Sequence, residues 1–143
     1  RSLAGMRIGH AMGSAELIAA MNDVRFSYNS YPMTRLSVEI GAAAIRDKAY
    51  FEEMRKRVVD TREWTKKELT RLGFTFGDSK TNFIFAKHKT IPGEVFFELR
   101  KKHIFVRRFG NNPRIKDYLR ISIGTQKEME ILVQELEKIE KMH

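Results

Sequence analysis

The chain has 143 residues, 42% hydrophobic and 31% charged, with a net charge of +9. That length and balance suit a folded domain with a real core and exclude a disordered or fibrous chain. Cysteine is absent, which excludes a disulfide framework, a thiol nucleophile and a cysteine metal site. No apolar run approaches the roughly 18 residues of a membrane span, and the first residues lack the apolar stretch of a signal peptide.

The cations are spread along the chain, as at Arg55–Arg57, Lys66–Lys67, Lys101–Lys102 and Arg107–Arg108. They form no basic run with interleaved aromatics, so a solvated basic surface is favoured over nucleic-acid binding. A small anion held by converging arginines is the sharper alternative.

Periodicity gives the elements in order. Met6–Met12 reads as a short strand closed by Gly13. Ser14 caps a helix with Leu17, Ile18, Met21 and Val24 on one face. FSYNSYPM breaks the pattern around Pro32 and carries Tyr28 and Tyr31, suited to packing, a subunit contact or a cofactor contact. Thr34 caps the next helix, with Leu36, Ile40, Ala43 and Ala44 inward. Its GAAAI run gives a narrow face for close packing. Asp47 opens a long helix through Phe51, Met54, Val58, Thr61, Thr65, Leu69 and Leu72, stopped at Gly73.

Beyond Gly73 the pattern changes. Phe74–Phe76 and Asn82–Ala86 read as strands around a GDSK turn. Pro92 suits the first turn of a helix carrying Val95, Phe96 and Leu99. Ile104–Arg107 reads as a strand and GNNPRIKD as a loop. YLRISI alternates, with Leu119, Ile121 and Ile123 on one face and Arg120 and Ser122 on the other. Thr125 and Glu128 form a capping box before a helix burying Met129, Leu132, Val133, Leu136 and Ile139. The second half is thus an α+β layer with helices on one sheet face. The first half, a lone strand with helices, reads as the edge of a larger domain.

Chemistry-bearing residues are few. The four histidines, His10, His88, His103 and His143, lack metal-ligand spacing, so no metal site is expected. There is no GxSxG, P-loop or GxGxxG. Glu52 and Glu53 sit in helical sequence as solvated carboxylates. Arginine remains. Arg120 lies mid-strand opposite three inward apolar residues, where its planar fork needs either a structural carboxylate or a ligand anion. Arg107 ends a neighbouring strand, and the two could clamp one dianion.

These residues carry a resemblance. RSLAGMRIG resembles the segment after the Schiff-base lysine of fold-type I pyridoxal-phosphate aminotransferases. TNFIFAK, IFVRRF and YLRISIGT resemble, in order and spacing, the C-terminal domain of histidinol-phosphate aminotransferases. The resemblance covers essentially the whole chain. It implies an α/β enzyme of which 1–46 is a remnant of the large cofactor-binding domain, 47–73 an interdomain helix and 74–143 a small α+β domain. Counting back along the family pattern places the lysine two positions before Arg1, so no catalytic residue is expected here and these residues alone are expected to be inactive.

Arg7 resembles the arginine that holds the phosphate of pyridoxal 5′-phosphate. Arg120 resembles the arginine that grips the substrate α-carboxylate, Arg107 a second substrate-anion contact, and Asn82 a site-facing asparagine. The implied substrates are histidinol phosphate with glutamate and 2-oxoglutarate, in histidine biosynthesis. The implied state is a cytoplasmic homodimer with no nucleic-acid or membrane partner. A threonine-phosphate decarboxylase, another class I/II aminotransferase and a free-standing basic anion-binding module are the alternatives.

Overall fold

The computed structural model describes residues 3–89 and 94–142. Pro92, the expected first-turn proline, lies outside the described residues, as do Arg1, Ser2 and His143. The chain divides into two units, residues 1–52 and 53–143.

In the first unit a 3₁₀ turn, Ala4–Met6, leads into irregular backbone up to Ser14. The expected strand Met6–Met12 is therefore not formed. A strand needs a partner for its backbone groups, and the described residues of this unit include no strand to pair with. Helix α1 spans Ala15–Tyr28 and α2 Arg35–Arg46. Ser14 and Thr34 cap them, accepting from the amides of Leu17 at 3.3 Å and Ser37 at 3.1 Å. Both caps match the sequence reading, because a hydroxyl satisfies a free first-turn amide wherever the helix sits.

The expected inward face of α2 is only partly covered. Ile40 and Ala44 are half-buried, whereas Leu36 and Ala43 are exposed. Two helices and a short irregular segment supply no second layer to bury a full helix stripe. Close packing of the GAAAI run is confined to Gly41, since Ala43 and Ile45 are exposed. Gly41 is buried, and a Cβ there would sit 3.0 Å from Cδ1 of Ile8.

Helix α3 spans Lys48–Arg71. Asp47 opens it by accepting the Tyr50 amide at 3.0 Å. Gly73 follows its end at φ +76°, a conformation that costs glycine little. The second unit then runs β1 Phe74–Phe76, β2 Phe83–His88, α4 Glu94–Lys101, β3 Arg107–Arg108, β4 Leu119–Ser122 and α5 Gln126–Glu140. The sheet order is β1-β2-β4-β3, with every neighbouring pair antiparallel.

The strand expected at Ile104–Arg107 is confined to Arg107–Arg108. The end of α4 explains the difference. His103 adopts φ 60°, and the amides of His103 and Ile104 donate back to the carbonyls of Arg100 and Leu99. This helix-closing motif takes the Ile104 amide away from the sheet.

The core of the second unit follows the alternation. Ile84 and Ala86 of β2 and Leu119 and Ile121 of β4 face one way. They meet Leu69 of α3, Leu72 in the turn after it, Val95 and Leu99 of α4, and Met129, Leu132, Val133, Leu136 and Ile139 of α5. The five inward residues expected of α5 are those buried, and its Thr125–Glu128 capping box is complete.

A charge network ties α3 to the turn before β2. Arg62 is buried and donates to the Thr81 carbonyl at 3.1 Å and to Glu63 at 3.0 Å. Lys66, also buried, donates to Glu63 at 3.1 Å and to Asp78 at 2.9 Å. Lys80, with Lys66 behind it, holds the Asp78 carboxyl down to about 2. Because the folded value lies below the roughly 3.9 of a free aspartate, Asp78 stabilises the fold above about pH 4. That contribution is lost as pH falls toward 2. Asp78→Asn is expected to lower the urea midpoint at pH 7 and to have a shrinking effect as pH drops below 4. An effect of the same size at both ends of a pH series of urea melts would show that the charge of Asp78 contributes nothing.

Candidate functional site

The sheet face away from the core is built by the same alternation that makes the core. Register pairs Phe85 with Arg120 and Arg120 with Arg107, so these three side chains share one face across β2, β4 and β3. Phe83 pairs with Ser122 on that face, and Lys87 with Thr75.

Two like charges directly opposite on neighbouring strands repel. Among the described residues no carboxylate pairs with either Arg107 or Arg120. The Nε of half-buried Arg120 is buried and has no hydrogen-bond acceptor. A buried donor left unpaired costs about 1–3 kcal/mol, so the arrangement favours an incoming anion. The structural-carboxylate option for Arg120 finds no support among the described residues.

Aromatic rings hold the guanidinium groups. Arg120 lies 5.6 Å from the ring centre of Phe83 and Arg107 5.5 Å from that of Phe109. Phe109 meets Phe85 edge-on at 5.5 Å, and Phe85 stacks on Tyr118 at 4.5 Å. These contacts set each guanidinium against an aromatic ring. Sequence reasoning missed the rings. The signal was present in TNFIFAK, whose alternation puts Phe83 and Phe85 together once Ile84 and Ala86 face inward. A groove of about 510 Å³ adjoins them, lined by the turn 77–81, Phe83, Phe85, Arg114, Ile115 and Tyr118.

Asn82, expected to open the strand, is exposed just before β2, where its carbonyl accepts the Ile123 amide at 2.8 Å. Strand alternation leaves it out of the Phe83–Phe85 row. Arg7, in the first unit, follows a 3₁₀ turn closed by Met6 donating to Leu3 at 3.0 Å and by Arg7 donating to Ala4 at 3.1 Å. It adopts φ 56°, uncommon for a residue with a side chain. Its guanidinium is exposed, with no carboxylate partner among the described residues. Strained backbone of this kind is found at ligand clamps.

The remaining candidates are quiet. His88 Nε2 lies 2.9 Å from the Leu72 carbonyl, and its ring meets Phe74 edge-on at 4.9 Å, a packing role. Tyr28 and Tyr31 are both exposed. No group of three metal-ligating side chains occurs among the described residues, and no described helix is long and apolar enough to cross a membrane.

Arg7 is exposed on its tight turn in the first unit, and Arg107 and Arg120 share the sheet face of the second unit that points away from the core. The family model for aminotransferase class I and II matches residues 1–136, and the chain belongs to that family.

Among its relatives, the histidinol-phosphate aminotransferase of Chromohalobacter salexigens is 47% identical over 140 residues, covering 97% of this chain and 40% of the relative. That of Clostridium acetobutylicum is 52% identical over 130 residues, covering 90% and 37%. The solved structure of the Sinorhizobium meliloti histidinol-phosphate aminotransferase in complex with pyridoxal-5′-phosphate superposes with a TM-score of 0.79 at 25% identity. That match covers 98% of this chain and 38% of the other. The expected aminotransferase fold is thereby met. The chain spans about 40% of the length of the relatives it matches.

Proposed function

We propose that this chain is the C-terminal part of a pyridoxal-phosphate-dependent aminotransferase that moves the amino group between histidinol phosphate and 2-oxoglutarate in histidine biosynthesis. In this reading residues 1–46 belong to the large domain, 47–73 form the interdomain helix and 74–143 form the small domain. The whole enzyme is a cytoplasmic homodimer with small-molecule substrates.

The observation that carries the reading is the cross-strand pair Arg107–Arg120, with the buried Nε of Arg120 lacking an acceptor. Arg120 takes the substrate anion on its planar fork, and Arg107 adds the second charge. Histidinol phosphate has no α-carboxylate, and its phosphate ester extends in roughly the direction where glutamate carries one. A fork that accepts either oxyanion serves both half-reactions. The aromatic rings beside the two guanidinium groups limit their movement. Asn82 remains a candidate polar contact just before β2.

Arg7 fits the cofactor phosphate, because its cation is exposed and has no carboxylate partner among the described residues. Pyridoxal phosphate supplies the electron sink for amino transfer when bound. Arg7 would anchor its phosphate end, while Arg107 and Arg120 orient the substrate. None of the described residues is assigned the proton-transferring base.

The test follows the Arg120 Nε–H signal by ¹H–¹⁵N NMR while this chain is titrated with histidinol phosphate, glutamate or histidinol. Histidinol phosphate and glutamate are expected to move the signal saturably, and histidinol, which lacks the anion, is not. Equal response to all three, or to none, overturns the reading.

A further inference from the structure

The described residues contain one other buried side-chain donor without an acceptor, the Nε of Arg108. Register pairs Arg108 with Leu119, whereas Arg107 pairs with Arg120. Adjacent strand residues point to opposite faces, so Arg108 lies on the helix-covered face, away from the Arg107–Arg120 pair. The proposed function leaves it without a role.

Its surroundings are carbon-rich. The guanidinium lies 5.5 Å from the ring centre of Phe97 on α4, which is itself 49% exposed. Gly110 lies close by. A Cβ at that position would stand 3.4 Å from Cζ of Arg108 and 3.6 Å from Nε and Nη1, so the backbone at 110 runs alongside the guanidinium at ordinary contact distance. No described carboxylate pairs with Arg108. A structural arginine would be expected to meet a carboxylate or carbonyl. This one is held by a ring and a bare backbone, with a buried N–H unused.

We propose that Arg108 is a second anion site, at the β3 edge of the sheet, taking a small phosphate or carboxylate oxyanion independently of Arg107 and Arg120. The half-exposed Phe97 ring and the Gly110 backbone flank the guanidinium. The planar fork of a guanidinium matches the two oxygens of such a group.

Inorganic phosphate and acetate serve as probes, titrated into the chain carrying Arg107→Gln and Arg120→Gln so that the first site is silent. The Arg108 Nε–H signal, assigned by its loss in Arg108→Lys, is expected to shift saturably with phosphate. Phosphate is also expected to raise the melting temperature of the double variant, and to do so less once Arg108→Met is added. If phosphate and acetate both leave the signal unmoved, the site is overturned. A melting-temperature rise that persists unchanged with Arg108→Met also overturns it, because the anion then binds elsewhere. Failure of histidinol phosphate to move Arg120 in the unmutated chain would sink the histidinol-phosphate reading and leave this proposal standing.

Discussion

Arg120→Lys is expected to weaken binding of histidinol phosphate and glutamate by about tenfold to a hundredfold while leaving the fold intact. Hydrogen bonds to charged groups contribute about 1.5–3 kcal/mol each. Lysine keeps the charge but loses the rigid fork, so the loss measures geometry and not Coulomb attraction alone. The Nε of Arg120 has no acceptor before the ligand arrives. Removing it therefore relieves an unpaired donor, and the melting temperature of the unliganded chain should hold or rise slightly. Dissociation constants from NMR or calorimetric titration, set beside a thermal melt, check both halves. Unchanged affinity would return Arg120 to a purely structural role. A collapse of the unliganded fold would show that its fork is satisfied within the chain.

Ile84→Ala is expected to destabilise the second unit by about 2–5 kcal/mol. Ile84 is fully buried in β2 and pairs with Ile121 of β4, itself 1% exposed. Truncation leaves a cavity between sheet and helices that a close-packed interior fills only in part. Since domains are stable by only about 5–15 kcal/mol, this is a large share. The same strand carries Phe83 and Phe85 on its other face, so the site should loosen with the core. Ile131→Ala serves as a comparison, because Ile131 is 44% exposed and surface changes usually stay within about 0.5 kcal/mol. Urea melts of the two variants check the contrast. Equal midpoints would contradict the burial pattern described above.

The caps and the core stripes are local properties, and they were legible. A serine, threonine or aspartate followed by free amides closes a helix start with few long-range contacts, as at Ser14, Thr34, Asp47 and Thr125. Alternation in YLRISI separated Leu119 and Ile121 from Arg120 before any pairing was known. The motif around Arg7 and the LRISIGT segment also carried the family, which matches over residues 1–136.

Strand pairing was not legible, because it depends on where a distant segment lies. Met6–Met12 alternates well enough for a strand, yet the first unit offers no strand partner among its described residues, and the segment stays irregular. Ile104 alternates with Val106, but the end of α4 claims its amide. The stripe of α2 predicts an inward face, and burial requires a second layer that this unit does not supply.

For the site, the sequence by itself determined the residue types: arginines at 7, 107, 108 and 120, and aromatics around them. Only the tertiary structure decided which of them meet. Register put Arg107 opposite Arg120 and sent Arg108 to the other face, an outcome a one-residue slip would reverse. The physical reason is that side-chain chemistry is written locally, whereas a shared face is a property of two strands and the hydrogen bonds that align them.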